Sequence, residues 1–454
     1  MNNSREKFSG RISLIAAFAG SAIGLGNIWR FPYMVGENGG AAFIVVYILC
    51  SLLVALPVFF TESLLGRNSG KGLVSTMNTF FGGKTRKVMS VVILTAPILI
   101  TSFYSVVGGW SLDFFVRACM GEFCDISKEE AVQFFGKYST SVTEPIISHF
   151  LFLLVSIAIV SRGIKKGIEK FNNITVPILF LLILLFIFYS SSLPGAQEGV
   201  KYLLKPDFGK ITPGVLASAM GQSFFSLSLG VGTVMVYSSY MKKSENILEA
   251  GSYTVFFDTC FAILASFAII PAVFSAGIEL NAGPSLVFET LPYIFSSFKT
   301  VSPFLSYVIP VIFFLSILGA AITSEISLLE VIVDYLVEEK GLSRKKASVI
   351  CFTVCLLIGI VCSLSFGPLS GIQIAGKNIF GFFDSISSNL FMILCSLIFA
   401  LLVGWKMDRK TVWNELTNEG RGKKSVKIYP VLYFWIRYIV PVMLVIIFIT
   451  NIFN

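Results

Sequence analysis

Two short stretches place glycines and hydroxyl residues inside otherwise apolar sequence: Gly20-Ser21-Ala22-Ile23-Gly24-Leu25-Gly26-Asn27 and Ser226-Leu227-Ser228-Leu229-Gly230-Val231-Gly232. Glycine costs a helix about 1 kcal/mol relative to alanine, so clustered glycines favour an unwound backbone. Unwinding exposes carbonyl oxygens, which suit cations, and helix-end amides, which suit anions. The alternative is close helix packing, for which Gly20-x3-Gly24 has the small-x3-small spacing. Asp258, Thr323 and Ser324 also fall in apolar runs. With Ser226 and the unwound carbonyls they form a set of hard oxygen donors without a soft ligand, the chemistry of an alkali-cation site. Blander readings stay open. Helix hydroxyls commonly bond back to their own backbone, and Asp258 also suits a structural carboxylate bonded to neighbouring helices.

The elements that must hold these residues are membrane helices. Of 454 residues, 55% are hydrophobic and only 13% charged, about half the charge of a soluble chain. Mean hydropathy is +0.81. At roughly 20 apolar residues per crossing, the pattern predicts eleven spans: 11–35, 41–66, 88–116, 146–162, 168–191, 212–240, 250–277, 303–337, 346–366, 377–404 and 429–451. The segment 117–145 reads as an ordered surface loop with a short helix, and 281–299 as a loop with a helix lying over the same side. The first helix is read as retained, since Arg5, Lys7 and Arg11 precede a long apolar run without a cleavage site.

Charge placement orients the chain. Twenty-five of the 35 Lys and Arg lie at the N-terminus and in alternate connections, and nine lie on the opposite side. By the positive-inside rule the N-terminus is cytoplasmic and the C-terminus extracytoplasmic, in a multi-pass protein of the cell membrane. The net charge of +9 is thereby spent on orientation, and no nucleic acid is expected. One histidine, His149, argues against imidazole catalysis and most zinc or haem chemistry. Of eight cysteines only Cys119 and Cys124 share a loop, as a disulfide or as free thiols. No nucleophile–base pair is evident, so an enzyme is not expected.

The two glycine-rich breaks fall in the first and sixth spans, matching places if spans 1–5 and 6–10 are two halves. Paired interruptions of this kind point to a transport site near the membrane midplane. At 1.5 Å per residue, Ala22, Ser226, Asp258, Thr323 and Ser324 each lie roughly 15–25 Å from the cytoplasmic end of their span. A charge at that depth costs at least about 3 kcal/mol, so Asp258 needs partners.

The stretch AFAGSAIGLGNIWRFPYMVGENGGAAF (17–43) closely resembles the signature of the neurotransmitter:sodium symporter family, from which the rule on paired interruptions was itself partly drawn. The resemblance continues in Phe103-Tyr104, GQSFFSLSLGVG (221–232), AAITSEISLLE (320–330) and GFFD (381–384). It implies an all-α LeuT-like bundle of two inverted five-helix repeats, 11–191 and 212–404, with broken helices 1 and 6 and an extra helix 429–451. It also implies sodium-driven uptake of an amino acid by alternating access. A sodium-dependent membrane sensor, or a symporter for another small amine, is the alternative. The family's twelfth helix is absent, which leaves the oligomeric state open, a monomer included.

The resemblance further implies two sodium sites. The first takes the Ala22 carbonyl, Asn27, Ser226, Asp258 and the substrate carboxylate; the second takes the Gly20, Ile23 and Ala320 carbonyls, Thr323 and Ser324. The substrate carboxylate would meet the amides of Leu25 and Gly26 and the Tyr104 hydroxyl, and its ammonium the region of Ser21, Phe225 and Ser228. Ile100, Phe225, Val231, Ser324 and Leu328 would line the side-chain pocket. These carry no charge, so a hydrophobic or aromatic substrate is expected, and Val231 replaces a bulkier Phe of a relative. Chloride-dependent members hold an anion near positions matching Tyr47, Gln222 and Ser226. Asp258 stands where Asn is common, and its carboxylate would replace that chloride. Arg30 and Asp384 would form an outer gate above Phe225 and Tyr104; Arg5 and Glu338, near Tyr240, an inner one. Gly167-x9-Pro177 would allow the inner end of the fifth helix to unwind.

Overall fold

A computed structural model describes residues 6–277, 286–300 and 302–453. Among them, nine continuous helices are long and apolar enough to cross a membrane: Ala41–Ser69, Gly83–Met120, Thr143–Ser161, Ile164–Ser191, Ile247–Ser275, Pro303–Glu338, Arg344–Leu364, Ile379–Lys406 and Lys423–Thr450. The first span is two helices, Arg11–Ala22 and Gly26–Glu37, bent by 50° at the glycine-rich break. The sixth is also two, Pro213–Ser226 and Thr233–Ser239, with residues 227–232 between them. Ten of the eleven expected spans are thus long and apolar enough to cross a membrane, the bent first pair counted as one; the sixth is present as two short helices, and both interruptions fall where the glycines stand.

Each broken span starts and stops for local reasons. Thr212 caps the outer half of the sixth, its hydroxyl accepting from the Val215 amide at 3.2 Å, with Pro213 in the first turn, where proline's fixed φ suits a helix and its missing N–H costs nothing. That half ends at Ser226, and the chain then enters positive φ at Ser228 (51°), Gly230 (77°) and Gly232 (83°), conformations that disfavour a continued helix. Nor is there room at Gly230 for a side chain: a Cβ would lie 2.0 Å from the Met392 carbonyl oxygen.

In the first span Arg11–Ala22 packs against Ile247–Ser275, Ile164–Ser191 and Pro303–Glu338, and in the sixth Pro213–Ser226 and Thr233–Ser239 both pack against Ala41–Ser69. On the side assigned as outer, Lys128–Thr140 begins with a capping box in which Ser127 and Glu130 satisfy each other's amides. This hydrogen bonding holds the exposed Glu130 carboxyl below its ordinary value. The helix stacks Phe135 on Phe288 of the Leu286–Ser296 segment, ring centroids 5.6 Å apart. A short helix is therefore present in 117–145, and a helical segment covers the described part of 281–299. Cys119 and Cys124 are free thiols, as are the other six cysteines.

The opposite end is tied by a buried ion pair. Arg67, 2% exposed at its side chain, donates from Nε to Glu415 Oε2 at 2.6 Å and also reaches the Glu245 and Glu415 carbonyls. Lys243 pairs with the other Glu415 oxygen at 2.5 Å. This knot joins the second span, the loop after the sixth, and the short helix Arg409–Thr417. Removing one member of a buried pair leaves an uncompensated charge. Arg67→Met is expected to cost about 3–5 kcal/mol of stability, read as a lower midpoint of thermal or denaturant unfolding in detergent; a loss under about 1 kcal/mol would show that the pair is dispensable.

Candidate functional site

The break in the first span leaves Ile23 extended (φ −72°, ψ 100°), and its freed groups are taken up by side chains. Asn27 Oδ1 accepts from the Gly24 amide at 3.0 Å. Its Nδ2 donates to Asp258 Oδ1 at 2.7 Å and lies 3.1 Å from Ser226 Oγ. Ser226 Oγ donates to the same Asp258 oxygen at 2.7 Å, and Tyr47 Oη donates to Oδ2 at 3.1 Å. Gln222 Nε2 donates to the Gly26 carbonyl at 2.9 Å. All five of these side chains are buried. Asp258 thus has partners from the first, second and sixth spans, which explains how a carboxylate is tolerated at this depth.

A second cluster joins the break to the eighth span. Thr323 Oγ1 lies 3.2 Å from the Ile23 carbonyl and 2.9 Å from that of Ala320. Ser324 Oγ donates to the Ser21 carbonyl at 3.1 Å, and Ser228 Oγ reaches the same oxygen at 3.2 Å. Gly24 is glycine for a steric reason, since a Cβ there would lie 2.2 Å from Ser324 Oγ and 2.9 Å from Tyr104 Oη. Between them the clusters offer carbonyls, hydroxyls, two side-chain amides and a carboxylate, oxygen-rich groups that fit a sodium ion and offer nothing to a soft metal.

Between the clusters lies a cavity of about 380 Å³ lined by Ser21, Ala22, Gly24, Gly26, Ile100, Tyr104, Phe225, Ser226, Ser228, Val231, Ser324, Leu328 and Met392. Every expected lining residue is present except Leu25, whose amide instead donates to Tyr104 Oη at 3.2 Å. Gly24 and Met392 were not anticipated. Met392 lies in an unbroken apolar run with no polar signal, whereas Gly24 belonged to the break already singled out.

Three buried polar residues also escaped the sequence reading. Glu62 Oε1 accepts from the Gly230 amide at 2.6 Å, holding the second break; a lone acid in the apolar second span was the available signal. Glu325, next to Ser324, is fully buried, and neither carboxylate oxygen has a partner among the described residues. Asn172, fully buried between Gly167 and Pro177, likewise leaves both amide atoms unpaired, and its Oδ1 lies 2.6 Å from where a Gly20 side chain would begin.

The gates are placed unequally. Arg30 sits over the Phe225 ring, 4.6 Å from its centroid, and lines with Asp384 a small chamber beyond Phe225 and Tyr104. No direct ion pair joins Arg30 and Asp384 among the described residues: Asp384 Oδ1 accepts from Ser388 at 3.3 Å, and Arg30 Nη1 is buried without a hydrogen-bond partner. On the other side Arg5 lies outside the described residues. Tyr240 donates to Glu330 at 2.8 Å and to Asp334 at 3.0 Å, while Glu338 accepts from the Gly72 amide at 2.6 Å. Arg344 pairs with Glu330, a partner the sequence reading did not name.

Comparison with known proteins agrees with this geometry. The sodium:neurotransmitter symporter family matches residues 5–124 and 121–454. The sodium-dependent transporter YhdH of Bacillus subtilis is 34% identical over 442 residues, covering 97% of this chain and 96% of its own. A sodium-dependent transporter of Haemophilus influenzae is 33% identical over 463 residues, covering 100% and 99%. The solved structure of MhsT in complex with L-phenylalanine is 37% identical, with a TM-score of 0.89 over 99% of this chain and 100% of that one. The chain therefore belongs to the sodium:neurotransmitter symporter family, and is a sodium-dependent membrane transporter of LeuT-like fold and not an enzyme.

Proposed function

We propose that the protein imports a hydrophobic or aromatic L-amino acid together with sodium, by alternating access and without chloride. The carrying observation is the cavity where the two helix breaks meet, closed on one side by Tyr104 and Phe225 and bordered by both oxygen clusters. Its polar groups gather at the backbone breaks, while Ile100, Val231, Leu328 and Met392 supply an uncharged wall. This division suits an amino acid whose α-groups bind the breaks and whose side chain is apolar. The relative solved with L-phenylalanine supports the same substrate class.

In this reading the first sodium takes the Ala22 carbonyl, Asn27, Ser226, Asp258 and the substrate carboxylate, which itself meets the amides at Leu25 and Gly26 and the Tyr104 hydroxyl. Ion and substrate then stabilise each other by direct contact, which is what coupling requires. The second sodium takes the Gly20, Ile23 and Ala320 carbonyls with Thr323 and Ser324. Chloride is unnecessary because Asp258 already supplies a fixed negative charge, and the hydroxyls of Tyr47 and Ser226 that an anion would use donate to it. The repeats 11–191 and 212–404 would rock about the fixed site, with the N-terminus cytoplasmic and the C-terminus outside.

Release inward would begin at Gly167–Pro177. The unpaired Asn172 amide beside Gly20 supports this, because a buried unsatisfied group costs about 1–3 kcal/mol that water entering from the inner end would recover. Pro177 weakens helical hydrogen bonding over the same stretch.

In proteoliposomes, a sodium gradient is expected to drive uptake of labelled phenylalanine, tryptophan, tyrosine or leucine, unchanged when gluconate replaces chloride. Collapse of sodium-driven uptake in gluconate would remove the role given to Asp258; saturable binding without accumulation would favour a sensor. Val231→Phe should shrink the apolar wall and weaken competition by tryptophan at least tenfold more than competition by alanine, a pattern that unchanged tryptophan competition would contradict. Pro177→Ala should strengthen the fifth helix and slow sodium release and turnover severalfold; equal rates in the variant would separate this segment from release.

A further inference from the structure

The connection between the fourth and fifth spans carries four basic residues in nine, Arg162, Lys165, Lys166 and Lys170. Three of them, Arg162, Lys166 and Lys170, line one side of a groove of about 600 Å³ together with Ile159, Phe171 and Ile174. No acidic side chain lines it. The two carboxylates close by are turned elsewhere: Glu6 accepts from the Ile164 amide at 2.8 Å, and Glu169 from the Ser9 amide at 3.0 Å. Among the described residues none of the three cations makes an ion pair or a side-chain hydrogen bond. Other basic residues at this end of the protein behave differently, for Arg67 and Arg344 are both paired with buried carboxylates.

The groove also has a direction. Its floor is the close approach of the two spans at Gly167, where a Cβ would lie 2.1 Å from the Ile159 carbonyl oxygen. From Ile174 the same helix continues as an apolar face through Ile178, Leu181 and Leu185, each between 43% and 58% exposed. Ile164–Ser191 is the least buried of the nine continuous spans, with 28% of its apolar window inside the protein. Unneutralised cations at the end of a lipid-facing helix thus sit above an apolar track of acyl-chain length.

We propose that this groove binds the headgroup phosphate of an anionic phospholipid of the inner leaflet, with Arg162, Lys166 and Lys170 on the phosphate and the acyl chains along Ile174, Ile178 and Leu181. The leaflet rests on the orientation proposed above; the binding itself does not. Basic residues near a membrane surface each contribute about fivefold to anionic-lipid affinity. A soluble phosphate would gain the charge contacts but not the apolar track, so the lipid is the better occupant.

The test uses the full chain in neutral detergent, with retained lipid read by native mass spectrometry. Phosphatidylglycerol is expected to stay bound where phosphatidylcholine is lost. Arg162→Gln/Lys166→Gln/Lys170→Gln should lower phosphatidylglycerol retention at least tenfold. Removing as many charges from another basic patch at the same end, by Lys423→Gln/Lys424→Gln/Lys427→Gln, should change it less than twofold. If the first triple variant unfolds, Lys166→Gln alone should still lower retention about fivefold. Equal retention of phosphatidylcholine, equal loss in both triple variants, no loss in the single one, or displacement by millimolar inorganic phosphate would each overturn the site. The readout needs no transport, so its failure is distinct from failure of the transport reading.

Discussion

Within a bilayer no water is at hand to satisfy a free carbonyl or amide, and each one left unpaired costs several kcal/mol. This protein breaks two helices near their middles, so the centre of the molecule must supply the partners that helix continuity would have given. Asn27 does so for the first break, accepting from Gly24 and donating to Asp258. Glu62 and Thr233 do so for the second, taking the Gly230 amide and the Ser228 carbonyl. The remaining free oxygens at Ser21 and Ile23 meet hydroxyls of Ser324, Ser228 and Thr323. These groups are held at one place by the need to satisfy the backbone, and that place is where a cation and a zwitterion find ready partners.

The same constraint explains why charge is scarce yet well placed. A carboxylate such as Asp258 is tolerable only where several donors converge, and a site evolved to hold broken backbone provides them from three spans at once. Glu325 and Asn172 are different, since they are buried beside the site without partners among the described residues. Burying a polar group unpaired is unfavourable, so both lie where the protein gains stability by admitting a ligand, an ion or water. Both belong to helices that would border the proposed inner route from the second oxygen cluster.

The breaks and most of the cavity lining were legible because each depends on local composition. Glycines within apolar helices, a single Asp at mid-depth and paired hydroxyls one turn from Ala320 announce themselves along the chain. What was not legible depends on approach between distant segments. Met392 enters the lining only because Gly230 lets the tenth span's backbone come close, and nothing in Phe391-Met392-Ile393 signals it. Arg30 and Asp384 reach a common chamber as expected, but whether they touch is set by side-chain direction; here Arg30 is drawn over Phe225 instead. Tyr240 likewise finds Glu330 and Asp334, about two turns and one turn of helix before Glu338.

This inequality between the two ends bears on how the cycle must run. The chamber beyond Phe225 and Tyr104 is closed by aromatic rings and by the Arg30 guanidinium, which lies over Phe225 and makes no ion pair with Asp384 among the described residues. At the other end Lys7 donates to the Ser239 and Met241 carbonyls, Phe8 packs edge-on against Tyr237 and Tyr240, and Tyr240 bonds two carboxylates. Each hydrogen bond contributes about 1 kcal/mol net, and those to charged groups more, so opening inward as a rigid body would cost several kcal/mol at once. A ligand shifts a conformational equilibrium only by its differential affinity for the two states. In the proposed cycle, sodium held by first-span carbonyls and eighth-span hydroxyls would join the two elements whose separation opens the inner route, and its departure would weaken that joint. A local path through Gly167–Pro177 would, in that proposed cycle, let the ion leave before the dense inner contacts part, dividing one large barrier into two smaller steps.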